Sequence, residues 1–145
     1  MQVDEIMTED VVTVDEHSTV SDCARTMLTN GTGSAIVTID DEPAGIITES
    51  DILWAGVSID DCLSGIPVRK VMSHPITWIR PTATLRAAAK KMQDEEIKKL
   101  VVLDGSEMVG IVTVSDIGHH VSDIARDVTE SMGLKRKWES DRRFR

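Results

Sequence analysis

The stretch GIITESDI occupies residues 45–52, and GIVTVSDI occupies residues 110–117. Two core segments can share an apolar pattern by composition alone, but these also share Gly, Thr, Ser and Asp at fixed spacing. An offset of 65 residues, the distance from Asp51 to Asp116, brings their surroundings into register. It pairs Val3 with Val68, Met7 with Met72, Thr19 with Thr84, Met27 with Met92 and Val37 with Val102. No gap is needed between residues 3–52 and 68–117. An internal duplication of this kind organises a fold before any finer reading.

Each unit reads the same way. A short hydrophobic turn, VDEIM or VRKVM, opens it, and a brief strand follows at Val11–Val14 or Ile76–Ile79. An amphipathic helix comes next, with Ser18 or Thr82 placed to cap its free N–H groups. Val20, Ala24, Met27 and Leu28 mark its apolar face in the first unit; Leu85, Ala88, Ala89 and Met92 mark it in the second. Gly31 ends the first helix. Hairpins are expected from Ala35–Ile39 with Ala44–Thr48 and from Leu100–Leu103 with Met108–Thr113, joined by the turns DDEP and DGSE. A second helix begins at about Ser50 or Ser115. Strand, helix, strand, strand, helix in roughly 60 residues is marginal alone. Two such units packed sheet to sheet would share a core. The expected division is 1–64, 65–127 and a basic tail, 128–145, with a short link at Gly65-Ile66-Pro67 where motion is expected.

The chain has 145 residues, 41% hydrophobic and 28% charged, which suits an α+β body of two small units. No apolar run reaches the ~20 residues of a membrane helix, and the start MQVDEIMTED lacks a signal peptide's pattern. A soluble, cytoplasmic protein is expected. Cys23 and Cys62 form no metal-ligand spacing, and Cys23, in an apolar helical stripe, is expected buried. The net charge is −9, but residues 135–145 carry six basic and two acidic residues, which leaves −13 on the rest. That acidic body argues against wrapping nucleic acid. The tail remains open to a polyanion, an acidic neighbour or plain solvation.

The repeated octet suggests a site. Gly-Ile-(Ile/Val)-Thr ends a strand, and Ser-Asp starts a helix whose first-turn N–H groups favour anions. The hydroxyls of Thr48 and Ser50 beside those groups suit phosphate. The Asp51 carboxylate offers acceptors to the vicinal hydroxyls of a ribose. Thr113, Ser115 and Asp116 repeat the arrangement. The same residues also read as an ordinary helix cap, and duplication alone would copy a cap.

The order strand, helix, KKLVVLDG (98–105) and VGIVTVSDI (109–117) resembles the CBS domain, a tandem pair of which is a Bateman module. The resemblance covers residues 3–125 or so. It implies two pseudo-symmetric β-α-β-β-α motifs and a non-catalytic module that binds AMP, ATP or S-adenosylmethionine as a regulatory ligand. It further implies a homodimer, four motifs in a flat disk, and a protein partner to be regulated. Two interleaved clefts follow from it. One joins Thr48, Ser50 and Asp51 to Thr77, Ile97, Lys98 and Lys99. The other joins Thr113, Ser115 and Asp116 to Val12, Gly33 and Ser34. Ile46 and Ile111 would wall the base. Lys98 and Lys99 make the first cleft the more cationic, whereas Glu49 places a charge where the second octet has Val114. The first cleft is therefore expected to bind a mononucleotide more tightly. Alternatives are a ligand-free protein-docking scaffold and nucleic-acid binding through the tail.

Other features carry less. His119 and His120 are adjacent and cannot share a helix face. Residues 31–36, GTGSAI, lack the third glycine of a dinucleotide fingerprint. Trp54, Trp78 and Trp138 are read as packing residues.

Overall fold

Each unit of the chain builds one three-stranded sheet. The computed structural model describes residues 1–131; the basic run 135–145 and Trp138 lie outside them. In the first unit, β1 (Thr13–Asp15) pairs parallel with β2 (Ser34–Ile39), which pairs antiparallel with β3 (Glu42–Thr48). In the second, β4 (Trp78–Ile79), β5 (Lys99–Asp104) and β6 (Glu107–Thr113) repeat that order. Helix α1 (Val20–Asn30) lies between β1 and β2, and α2 (Glu49–Ser58) follows β3. Helices α3 (Leu85–Glu95) and α4 (Val114–Ser131) hold the same places in the second unit.

The local chemistry explains these elements with small corrections. Thr19 and Thr84, rather than Ser18 and Thr82, cap the first helices: their Oγ1 atoms accept from Asp22 N–H and Ala87 N–H, each at 3.1 Å. The Ser18 carbonyl instead accepts from Val68 N–H at 2.9 Å. Gly31 ends α1 in the left-handed region at φ 64°, and Glu96 does the same for α3 at φ 54°. The opening strands are shorter than expected. Val11 and Ile76 leave the ladder and join Ile36, Val101, Ile111 and Ile46 in the apolar seam shared by the two sheets. Leu28 and Ala89, read as core-facing, are exposed; Cys23 and Met27 carry the buried face of α1, and Ala88 and Met92 that of α3. Trp54 and Trp78 are also exposed, and the Lys91 ammonium sits 5.7 Å from the Trp78 ring centre. Helix α4 runs to Ser131, through the first residues of the expected tail.

The two units exchange their opening segments. Val3 is buried among Ile79, Ala88, Leu100 and Val112 of the second unit, and Val3 N–H donates to the Ala83 carbonyl. Val68 is buried among Val20, Val37 and Ile47 of the first. Thr8 then bridges to Ile111 on β6, and Ser73 to Ile46 on β3. This exchange explains the glycine of each octet. A Cβ on Gly45 would stand 2.6 Å from Met72 Sδ and 2.9 Å from the Ser73 carbonyl. On Gly110 it would meet Met7 Sδ and the Thr8 carbonyl, each at 2.8 Å. The link Gly65-Ile66-Pro67 is likewise tied down: Ile66 is buried in the first core, and its carbonyl accepts from Val20 N–H at 2.8 Å.

Candidate functional site

Thr48, not Ser50, is the N-cap of α2, because β3 delivers its hydroxyl above the first turn. Its Oγ1 accepts from Asp51 N–H at 3.4 Å, while Thr48 N–H and the Thr48 hydroxyl donate to Asp51 Oδ2 at 2.8 and 3.0 Å. Each residue thus satisfies the other's backbone, a reciprocal capping box. Asp51 Oδ1 takes no hydrogen bond from the described residues and remains available. The second octet does the same: Thr113 N–H donates to Asp116 Oδ2 at 2.9 Å, and Asp116 N–H donates to Thr113 Oγ1 at 3.1 Å. Both carboxylates therefore cap their own helices. Two of the first-turn N–H groups of α2 are committed as well, since Glu49 N–H donates to the Gly33 carbonyl at 3.2 Å. Less of that helix terminus is left for an anion than the motif alone suggests.

What separates the two octets is the space beside them. A cavity of about 460 Å³ opens next to Asp51. Its wall contains every residue assigned to the first cleft: Thr48, Ser50, Asp51, Thr77, Ile97, Lys98 and Lys99, with Ile46 at its side. They reach it from both units because Ser73, held against β3, brings Pro75 and Thr77 across. Glu96, at the end of α3, lines it too and was missed; its signal was its alignment with Gly31, a helix end set beside the cleft.

The second cleft does not assemble in the same way. Val12 lines a separate pocket of about 600 Å³ with Thr8, Glu9, Asp10, Val11, Asn30 and Thr32. Thr113, Ser115, Asp116 and Ser34 line no part of it, and Ile111 is buried in the seam between the sheets. Gly33 lines the first cavity instead. Lys99 lies between the two octets. Its ammonium crosses to the first unit and lies 3.6 Å from where a Gly33 Cβ would stand, with Glu49 Oε1 at 3.2 Å from the same point. Burial lowers the Lys99 pKa, and the nearby Glu49 and Asp116 carboxylates oppose that shift. One cation therefore serves both octets, and its counterpart Ser34 brings none.

Chemically, the cavity offers a free carboxylate oxygen, hydroxyls, two ammonium groups and an apolar wall from Ile46, Ile97 and Val101. Three carboxylates, Glu49, Asp51 and Glu96, line the same cavity as those two cations. No group of three or more His, Cys, Asp or Glu side chains is placed to hold a metal among the described residues. No helix there is long and apolar enough to cross a membrane.

Comparison with known proteins agrees with this architecture. An uncharacterized protein of Methanopyrus kandleri is 34% identical over 119 residues, 81% of this chain and 61% of its own length. Hypoxic response protein 1 of Mycobacterium tuberculosis is 25% identical across 83% of this chain and 85% of its own. A homoserine O-acetyltransferase of Methanohalobium evestigatum is 28% identical, but the chain spans only 24% of that enzyme. Among solved structures, a conserved CBS domain protein of Thermoplasma acidophilum superposes with a TM-score of 0.76 at 26% identity, covering 82% of this chain and 68% of the other. The CBS domain matches twice, over residues 3–58 and 68–123. With two such matches, each unit carrying its own β-α-β-β-α body and octet, the chain belongs to the CBS domain family as a tandem pair.

Proposed function

We propose that this chain is a non-catalytic sensor that binds an adenine-containing small molecule beside Asp51 and passes the binding event to a partner protein. The observation that carries this reading is the 460 Å³ cavity, within the ~300–1,000 Å³ range of small-molecule sites. It unites sugar-, phosphate- and base-suited groups from both units. The free Asp51 Oδ1 would accept from ribose hydroxyls, Lys98 and Lys99 would meet phosphate, and Ile46 and Ile97 would cover the base. Three carboxylates against two ammonium groups disfavour a triphosphate relative to AMP or an adenosyl compound without phosphate. A CBS pair of protein MJ0100, which shares the fold at a TM-score of 0.77 and 20% identity, was crystallised with 5′-methylthioadenosine and S-adenosylmethionine. Those two compounds therefore belong in the screen. The exposed apolar residues of α2 and α4 suit a homodimer.

The test is a thermal-shift screen over AMP, ATP, GMP, 5′-methylthioadenosine and S-adenosylmethionine. A ligand at a hundredfold excess over its Kd stabilises the fold by about 2.7 kcal/mol, so a clear rise in melting temperature is expected for AMP or an adenosyl compound. No shift with any adenine compound at millimolar concentration refutes the sensor and leaves a protein-docking scaffold.

A further inference from the structure

Glu49 belongs to two cavities at once. It lines the 460 Å³ cavity beside Asp51, and it also lines an apolar groove of about 540 Å³ between α1 and α2. Among the described residues it is the one residue common to both walls. The groove is otherwise walled by side chains such as Leu28, Leu53, Val57 and Leu63, none of which reaches the ligand cavity. As the first residue of α2, Glu49 stands one turn before Ile52 and Leu53 and shares their face of the helix.

The backbone of Glu49 is fixed, and its side chain is not. Glu49 N–H donates to the Gly33 carbonyl at 3.2 Å. The carboxylate occupies space that a Gly33 side chain would need: Glu49 Oε1 lies 3.2 Å, and Lys99 Nζ 3.6 Å, from where a Gly33 Cβ would stand. Among the described residues neither charged group makes a direct ion pair. Attraction to Lys99 across this short gap draws the carboxylate toward the ligand cavity. Burial lowers the Lys99 pKa, and of the two carboxylates that oppose this, Glu49 acts more strongly than Asp116. The second unit has Val114 at the corresponding position. Val114 lines the smaller α3–α4 groove, about 250 Å³, and carries no charge. The arrangement therefore exists on one unit only.

We propose that Glu49 reads the charge of the bound ligand and passes it to the α1–α2 groove. An anionic group taken up by Lys99 drives the Glu49 carboxylate out of the cavity and over the groove. A ligand that is neutral at that point leaves it in place. This rests on the sensor reading above and supplies its regulation. Like charges a few ångströms apart repel even at the surface, and an anion on Lys99 also cancels the attraction that held Glu49. The carboxylate stays hydrated in its new place, because Leu28, Leu53 and Val57 around the groove are exposed. The bond from Glu49 N–H to Gly33 persists, so a rotation of one side chain suffices. Two ligands of similar affinity but different charge thus leave different surfaces on α2, each favouring one of two side-chain arrangements. The coupling is reciprocal: if an anion displaces Glu49, removing the Glu49 charge must favour the anion.

The test follows the methyl groups of the full chain by nuclear magnetic resonance, in the parent and in Glu49→Gln, with AMP and with 5′-methylthioadenosine, which has a neutral group in place of the phosphate. Ile46 and Ile97 report the ligand cavity; Leu53 and Val57 report the groove. In the parent, AMP is expected to move both sets and 5′-methylthioadenosine only the cavity set. In Glu49→Gln, AMP is expected to move the cavity set alone. The ratio of AMP affinity to 5′-methylthioadenosine affinity should rise about fivefold in that variant. Groove methyls that respond to AMP equally in both chains, or that stay still in the parent while AMP fills the cavity, overturn the relay and leave the sensor standing. A cavity that takes 5′-methylthioadenosine but refuses AMP in both chains overturns it too. Cavity methyls silent to both compounds refute sensor and relay together.

Discussion

Replacing Asp51 with Asn separates the two jobs of this carboxylate. Oδ2 takes both hydrogen bonds from Thr48, and Oδ1 takes none from the described residues. An Asn carbonyl oxygen can accept the Thr48 bonds in place of Oδ2. The cap survives, and only the charge at the helix N-terminus is lost, a cost of about 0.3–1 kcal/mol. The Asn amide nitrogen then stands where Oδ1 stood and presents donors to the ribose hydroxyls, themselves donors. A hydrogen bond to a charged group contributes about 1.5–3 kcal/mol, so the loss amounts to about 10- to 150-fold in Kd. Asp116→Asn removes the same kind of charge from a similar cap and does not line the cavity beside Asp51. It should cost similar stability and leave Kd within about twofold, a change of under 0.5 kcal/mol. Calorimetric titration of both variants with the compound that scores in the melting screen, alongside their melting curves, reads both effects. Equal losses of affinity, or an Asp51→Asn chain that binds like the parent, would refute the assignment of the ligand to this cavity.

Gly45→Ala and Gly110→Ala should each destabilise the fold by about 1–3 kcal/mol in denaturant titration, because the new methyl meets the exchanged segment of the other unit. Gly118→Ala, which meets nothing within 4 Å in a helix interior, should stabilise it by about 0.5–1 kcal/mol. Glu96→Gly should also stabilise, by up to about 1–2 kcal/mol, since it relieves a left-handed residue with a side chain at φ 54°; unchanged stability would show that Glu96 gains an offsetting contact. Burial pushes the Cys23 thiol from 9.0 to about 11. Between those values the unfolded chain releases the proton and the folded chain keeps it. Stability should therefore fall as pH rises through that window, by about 1.4 kcal/mol per pH unit. Cys23→Ala should flatten that limb in melts against pH.

The amino-acid sequence by itself determined the duplication, the helices, the hairpins and the left-handed end of α1. These follow from spacings of a few residues, such as apolar periodicity, a hydroxyl before a helix or a glycine after one; the grouping of Thr77, Ile97, Lys98 and Lys99 with the first octet came instead from the family resemblance. Tertiary structure alone decided that Val3 and Val68 pack in each other's unit, because an exchange between near-identical units leaves the same local pattern as no exchange. It also decided which octet borders a cavity. The same holds for the Lys99 ammonium beside Gly33, a meeting of residues 66 apart in sequence. Two octets written alike became unlike sites because a cavity is shaped by the side chains that surround a motif, and those the duplication did not keep.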